Sequence, residues 1–93
     1  MSHSVKEFSK DVVIINEMGL HARAAAKIAE IAEDVRSNMW IINGDKVADA
    51  SSIVDLLTLG CAKDSNITIK IESLSDVDTL NRVAELIENG FGE

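Results

Sequence analysis

Ninety-three residues suffice for one domain, and an apolar share of 46% supports one modest core rather than a deep catalytic cleft. Sixteen Asp and Glu against nine Lys and Arg give a formal net charge of -7, which argues against nucleic acid as a partner and favours proteins that present basic patches. Cys61 is the only cysteine, so an intrachain disulfide and a cysteine zinc site are both excluded; a lone thiol suits a reducing cytoplasm.

Residues 1–6 read as a loose lead-in, His3 included, without the basic and apolar regions of a signal peptide. No apolar run reaches a bilayer-spanning length, so no membrane insertion is expected. From Phe8 to Ile15 the chain is β-branched and apolar, which predicts a strand that Asn16-Glu17-Met18-Gly19 ends. Residues 22–35 carry Ala25, Ile28, Ala29, Ala32 and Val35 at helical spacing, and so much alanine lets the helix lie close to a sheet.

Met39-Trp40-Ile41-Ile42 predicts a second strand. Asn43-Gly44 signals a hairpin, with a short third strand over Lys46 to Ala48. Ser52-x-x-Asp55 resembles a capping box opening a short helix, Ile53 to Leu59, that stops at Gly60. Ile67, Ile69 and Ile71 alternate with polar residues as in a half-buried strand. Ser75-x-x-Asp78 reads as the start of a last helix with Val77, Leu80, Ala84 and Ile87 on one face, ended by Asn89-Gly90. The order β-α-β-β-α-β-α predicts an α+β open-faced β-sandwich: a four-stranded antiparallel sheet with three helices on one face, in a single domain over 1–93.

The residue with chemical promise is His21, which lies between the strand exit and the first helical residue. A helix start leaves amides unpaired and carries the positive end of the macrodipole, so it favours an anion and disfavours an imidazolium. A neutral, nucleophilic ring is expected there, with Arg23 in reach of phosphoryl oxygens. These parts suit reversible phosphorylation of a ring nitrogen in a shallow site without cofactor or metal. The plain alternative is a surface histidine that caps a helix. Cys61, Met39 and Trp40 read as packing residues, and the scattered acids as solvated faces rather than metal ligands.

Gly19-Leu20-His21-Ala22-Arg23-Ala24-Ala25 resembles the signature of the HPr family of the bacterial phosphoenolpyruvate:sugar phosphotransferase system. Asn43-Gly44, the stretch from Ser52 to Gly60 and the ending Gly90-Phe91-Gly92-Glu93 resemble the family in the same order. The resemblance implies a phosphocarrier rather than an enzyme. His21 would accept phosphate on Nδ1 from phosphorylated Enzyme I, with Arg23 stabilising it, and IIA domains of sugar permeases would receive it. It further implies a cytoplasmic monomer and a docking face of Ala22, Ala26, Lys27, Ile53, Val54 and Leu57. Ser52 would be a regulatory site for HPr kinase/phosphorylase, besides its N-cap role.

The chain departs from the family pattern at several places: Ala24 stands for a common proline, Ser51 for lysine, Asp55 for glycine and Glu33 for a basic residue. The segment from Asn43 to Ser52 is one residue longer than the common pattern. Two other functions fit the same element order. One is a regulatory or nitrogen-type paralogue acting mainly through protein contacts. The other is a ferredoxin-like small-ligand module.

Overall fold

The structure is a computed structural model that describes residues 8–93; the predicted lead-in over residues 1–6 and His3 lie outside the described residues. The strands are β1 (Ser9–Val13), β2 (Met39–Asn43), β3 (Lys46–Asp49) and β4 (Asn66–Ile71), and the helices are α1 (Ala22–Ala32), α2 (Ile53–Leu57) and α3 (Val77–Glu88). The sheet runs β1-β4-β2-β3 with every neighbouring pair antiparallel. Its topology is two interleaved split β-α-β units: β1 and β2 are parallel with β4 between them, and β3 and β4 are parallel with β2 between them. The α+β sheet-and-helix architecture expected from the sequence is the one observed.

One face of the sheet is dry. Val12, Met39, Ile41, Ala48, Ile67, Ile69 and Ile71 point into the core and meet Ala24, Ala25, Ile28 and Ala32 of α1, Leu56 of α2, and Leu80, Val83, Ala84 and Ile87 of α3. The other face carries the alternate residues, with Trp40 and Ile42 half-buried, Val47 exposed, and Thr68 donating a hydrogen bond of 2.7 Å to Asp11. Among the described residues no helix is long and apolar enough to cross a membrane.

Several boundaries differ from the sequence reading, and the main ones have local reasons. The first strand ends at Val13 rather than Ile15. Beyond it Ile14 N–H donates to Ser65 O at 3.0 Å, while Ile14 O accepts from Asp64 N–H at 2.7 Å with Asp64 at φ 75°, so the ladder loses its register there. Helix α1 stops at Ala32 rather than residue 35, because the bonds tighten: Asp34 N–H reaches Ile31 O and Val35 N–H reaches Ala32 O. The hairpin loop is Gly44-Asp45 rather than Asn43-Gly44. Asn43 pairs with Lys46, and Gly44 at φ 65° takes the first loop position, as a type II′ turn requires. Helix α2 ends at Leu57 rather than Leu59, where Leu59 N–H closes a short bond to Leu56 O and Asn43 Nδ2 donates to Leu59 O.

The last helix is not opened by Ser75. Ser73 Oγ accepts from Ser75 N–H in a 3-10 turn over Leu74–Asp76, and Asp76 stands at the head of α3. The Asp76 carboxylate is 2% exposed and accepts the amides of Arg36 (2.8 Å) and Ser37 (3.0 Å). It therefore fastens the α1–β2 turn to α3.

Candidate functional site

The segment leading to His21 is held by backbone contacts on both sides. Gly19 N–H donates to Asn16 O at 3.1 Å, and Leu20 N–H donates to Cys61 O at 2.9 Å. Gly19 has φ 64°, and a Cβ there would run into Cys61 O and come within 2.9 Å of Ala62 Cα. Only glycine fits both the backbone angle and the space. Leu20 is buried as the anchor of the turn, and His21 follows in an extended conformation (φ -85°, ψ 179°) as the N-cap of α1.

His21 caps with its backbone alone: His21 O accepts from Ala25 N–H at 2.8 Å, and the side chain makes no cap hydrogen bond. The amides of Ala22, Arg23 and Ala24 form the first turn, where no intrahelical acceptor exists. Ala24 is fully buried, so its small side chain seats that turn against the core. The ring lies at the edge of a shallow, open depression of about 610 Å³ lined by Met18, His21, Ala22, Arg23 and Glu93. The structure thus places His21 and Arg23 at one depression beside the N-terminus of α1.

Three residues at this site escaped that reading. Glu93 meets the ring directly, with Oε2 against His21 Nε2. Its other oxygen, Oε1, accepts from Asn16 Nδ2 at 3.0 Å, and the same Nδ2 donates to Gly19 O at 2.8 Å. These two hydrogen bonds, with His21 first and Asn16 second, hold the Glu93 carboxyl below the usual glutamate range. Met18, exposed at the rim, is the third. Phe91 is fully buried at φ 59°, and its carbonyl accepts from Lys27 Nζ at 2.7 Å, which fixes the segment that carries Glu93.

Of the residues expected to dock partners, Ala22, Ala26, Ile53, Val54 and Leu57 are exposed on the packed pair α1 and α2, whereas Lys27 is half-buried and engaged with Phe91 O. Ser52 is the N-cap of α2, with Oγ accepting from Asp55 N–H at 3.2 Å. The capping box is only half formed. Asp55 is one methylene shorter than glutamate, and its carboxylate accepts from Asp49 N–H (3.4 Å) instead of reaching back to Ser52. Asp49 in turn accepts from Ser51 N–H (2.9 Å) and Ser51 Oγ (2.7 Å), so two carboxylates flank Ser52. Among the described residues no group of three His, Cys, Asp or Glu side chains is placed to hold a metal ion.

The family model for the "PTS HPr component phosphorylation site" matches residues 8–89. The chain belongs to the HPr family. It is 31% identical over 84 residues to the phosphocarrier protein HPr of Neisseria meningitidis serogroup A, covering 90% of this chain and 94% of that one. It is 32% identical over 87 residues to the phosphocarrier protein NPr of Shewanella violacea, covering 94% and 96%. The crystal structure of an HPr from Thermoanaerobacter tengcongensis superposes with a TM-score of 0.85 at 29% identity, covering 91% of this chain and 96% of that one. An HPr dimer from the same organism superposes with a TM-score of 0.72 at 28% identity over the whole of both chains. The HPr-family resemblance read from the histidine motif is therefore established, and with it a phosphocarrier of the phosphotransferase system.

Proposed function

We propose that His21 accepts a phosphoryl group from phosphorylated Enzyme I and passes it to IIA domains of sugar permeases. In the first step the donor's N–P bond breaks as the bond from phosphorus to His21 Nδ1 forms. In the second that Nδ1–P bond breaks as the acceptor's nucleophile bonds to phosphorus, and each time the departing ring nitrogen recovers its electron pair. The amides of the first turn of α1 and the Arg23 guanidinium hold the non-bridging oxygens. The observation that carries this reading is the ring of His21 at the head of α1, on the edge of an open depression that Arg23 also lines. An open site suits a carrier, because the donor and acceptor proteins complete the chemistry.

Ala22, Ala26, Lys27, Ile53, Val54 and Leu57 form the docking face, with small apolar side chains suited to brief contacts. Ser52 is the regulatory position, open to HPr kinase/phosphorylase at a helix end that tolerates an anion, although Asp49 and Asp55 raise the electrostatic cost of a phosphate there. The carrier is a cytoplasmic monomer acting as a transfer intermediate and not as an enzyme; sedimentation at working concentration tests the monomer against the dimer seen for a relative. The similarity to an NPr supports a second reading, in which the same phosphohistidine serves a nitrogen-type relay.

The test is incubation with phosphoenolpyruvate and Enzyme I, with intact mass and site mapping. One acid-labile phosphoryl group on His21, absent in folded His21→Ala, is the expected result. Labelling that survives His21→Ala overturns the assignment. Parallel transfer to sugar-type and nitrogen-type IIA domains separates the two relays.

A further inference from the structure

A carboxylate can only accept hydrogen bonds, so the ring nitrogen that meets Glu93 must carry the hydrogen. A neutral imidazole has a single N–H, and placing it on Nε2 leaves the lone pair on Nδ1. Glu93 is itself constrained. Asn16 is 7% exposed and spans two acceptors through one Nδ2, gripping Glu93 Oε1 and Gly19 O together. Both acceptors demand a donor, which fixes the amide orientation and leaves Asn16 Oδ1 facing inward with no partner. A buried polar atom left unsatisfied is a cost, and it is tolerated here where the opposite end of the same side chain sets the geometry of the site.

We propose that Asn16 and Glu93 are positioning residues that hold the His21 ring by Nε2–H, so that in the neutral ring the lone pair lies on Nδ1, turned toward the incoming phosphorus. This rests on the phosphoacceptor reading of His21 and adds a reason for the choice of nitrogen. The logic is that of an orienting carboxylate behind a histidine: the group never touches the transferred phosphoryl, and it restricts the ring to one tautomer and one rotation. The hydrogen bonds from His21 and Asn16 that hold the Glu93 carboxyl below the usual glutamate range agree with a carboxylate that stays charged while it accepts both. Two cations of α1 lie at the site: Lys27 is occupied by Phe91 O, and Arg23, which lines the same depression as Glu93, is left for the phosphoryl oxygens.

The decisive measurement is 15N NMR of the His21 ring in the unphosphorylated protein, above the pH at which the ring titrates. The wild type should show an Nε2 of the N–H type, with a slowly exchanging proton, and an Nδ1 of the lone-pair type. Glu93→Ala should lose the slow proton and average the ring, while Glu93→Gln, whose amide oxygen still accepts, should retain the tautomer. Asn16→Ala should fall between them. A wild-type ring protonated on Nδ1, or spectra unchanged by Glu93→Ala, overturns the proposal. A second readout uses transfer from Enzyme I. Glu93→Ala should lower kcat about tenfold with KM unchanged, because the lost interaction is of the charge-assisted kind. An equal kcat, or a loss confined to KM, also overturns it. The ring spectra need no phosphotransfer partner, so a failure of the carrier assignment is distinguishable from a failure of this positioning role.

Discussion

Replacing Gly19 by alanine separates two costs that glycines usually hide together. Gly19 and Gly60 share nearly the same backbone angle, φ 64° and 63°, but a Cβ on Gly60 meets nothing within 4 Å. Gly60→Ala therefore reports left-handed strain alone, roughly 1 kcal/mol. At Gly19 the methyl group also collides with Cys61 O and Ala62 Cα, which are backbone and cannot rotate away. The turn must shift, weakening the 2.9 Å bond from Leu20 N–H to Cys61 O. Strain, overpacking and that bond together cost about 3–4 kcal/mol. For a domain of this size that lowers Tm by roughly 15–25 °C, against about 5 °C for Gly60→Ala. Urea unfolding of both variants, with equal m-values, measures the difference directly. If the two variants agree within about 0.5 kcal/mol, close packing is not what requires glycine before His21.

Asp76→Ala strands the amides of Arg36 and Ser37 and should destabilise the fold by about 3 kcal/mol in urea, with Asp76→Asn less harmful because one acceptor oxygen remains. Ser52→Ala removes the cap of α2 and should cost about 1 kcal/mol, seen as a lower urea midpoint with unchanged m-value. The Glu93 carboxyl should titrate below 4.5 by 13C NMR, since its bonds to His21 and Asn16 favour the ionised form. Its stabilising contribution is thus present above the unfolded pKa and lost as pH falls through the lower folded value; His21→Ala should move the midpoint upward. Burial pushes the Cys61 thiol up, so its alkylation near neutral pH should be far slower in the native protein than in urea, and equal rates contradict the buried placement.

Elements whose signals are local could be read from the sequence: the alternation of Ile67, Ile69 and Ile71, the alanine spacing of α1, and the Ser52 cap all reappear in the structure. The glycine before His21 and the arginine after it were readable for the same reason. What escaped depends on distant neighbours. Asp76 resembled any other acid until the α1–β2 turn and α3 came together around the amides it accepts, and Ser75 was taken for the cap although Ser73 caps the 3-10 turn and Asp76 heads α3. The hairpin slipped by one residue because the Asn-Gly pair was taken as the loop, while Asn43 still pairs with Lys46 and sends its amide to Leu59. Glu93 and Asn16 carried no local signal, since each acquires meaning only when Phe91 is buried and brings the two segments side by side.

The ring of His21 and the carboxylate beneath it are 72 positions apart along the chain. During synthesis the imidazole emerges early and its companion late, so an unfinished polypeptide displays the histidine without the grip on its far nitrogen. The orientation proposed for the ring is therefore a property of the folded domain and not of the His21 motif alone.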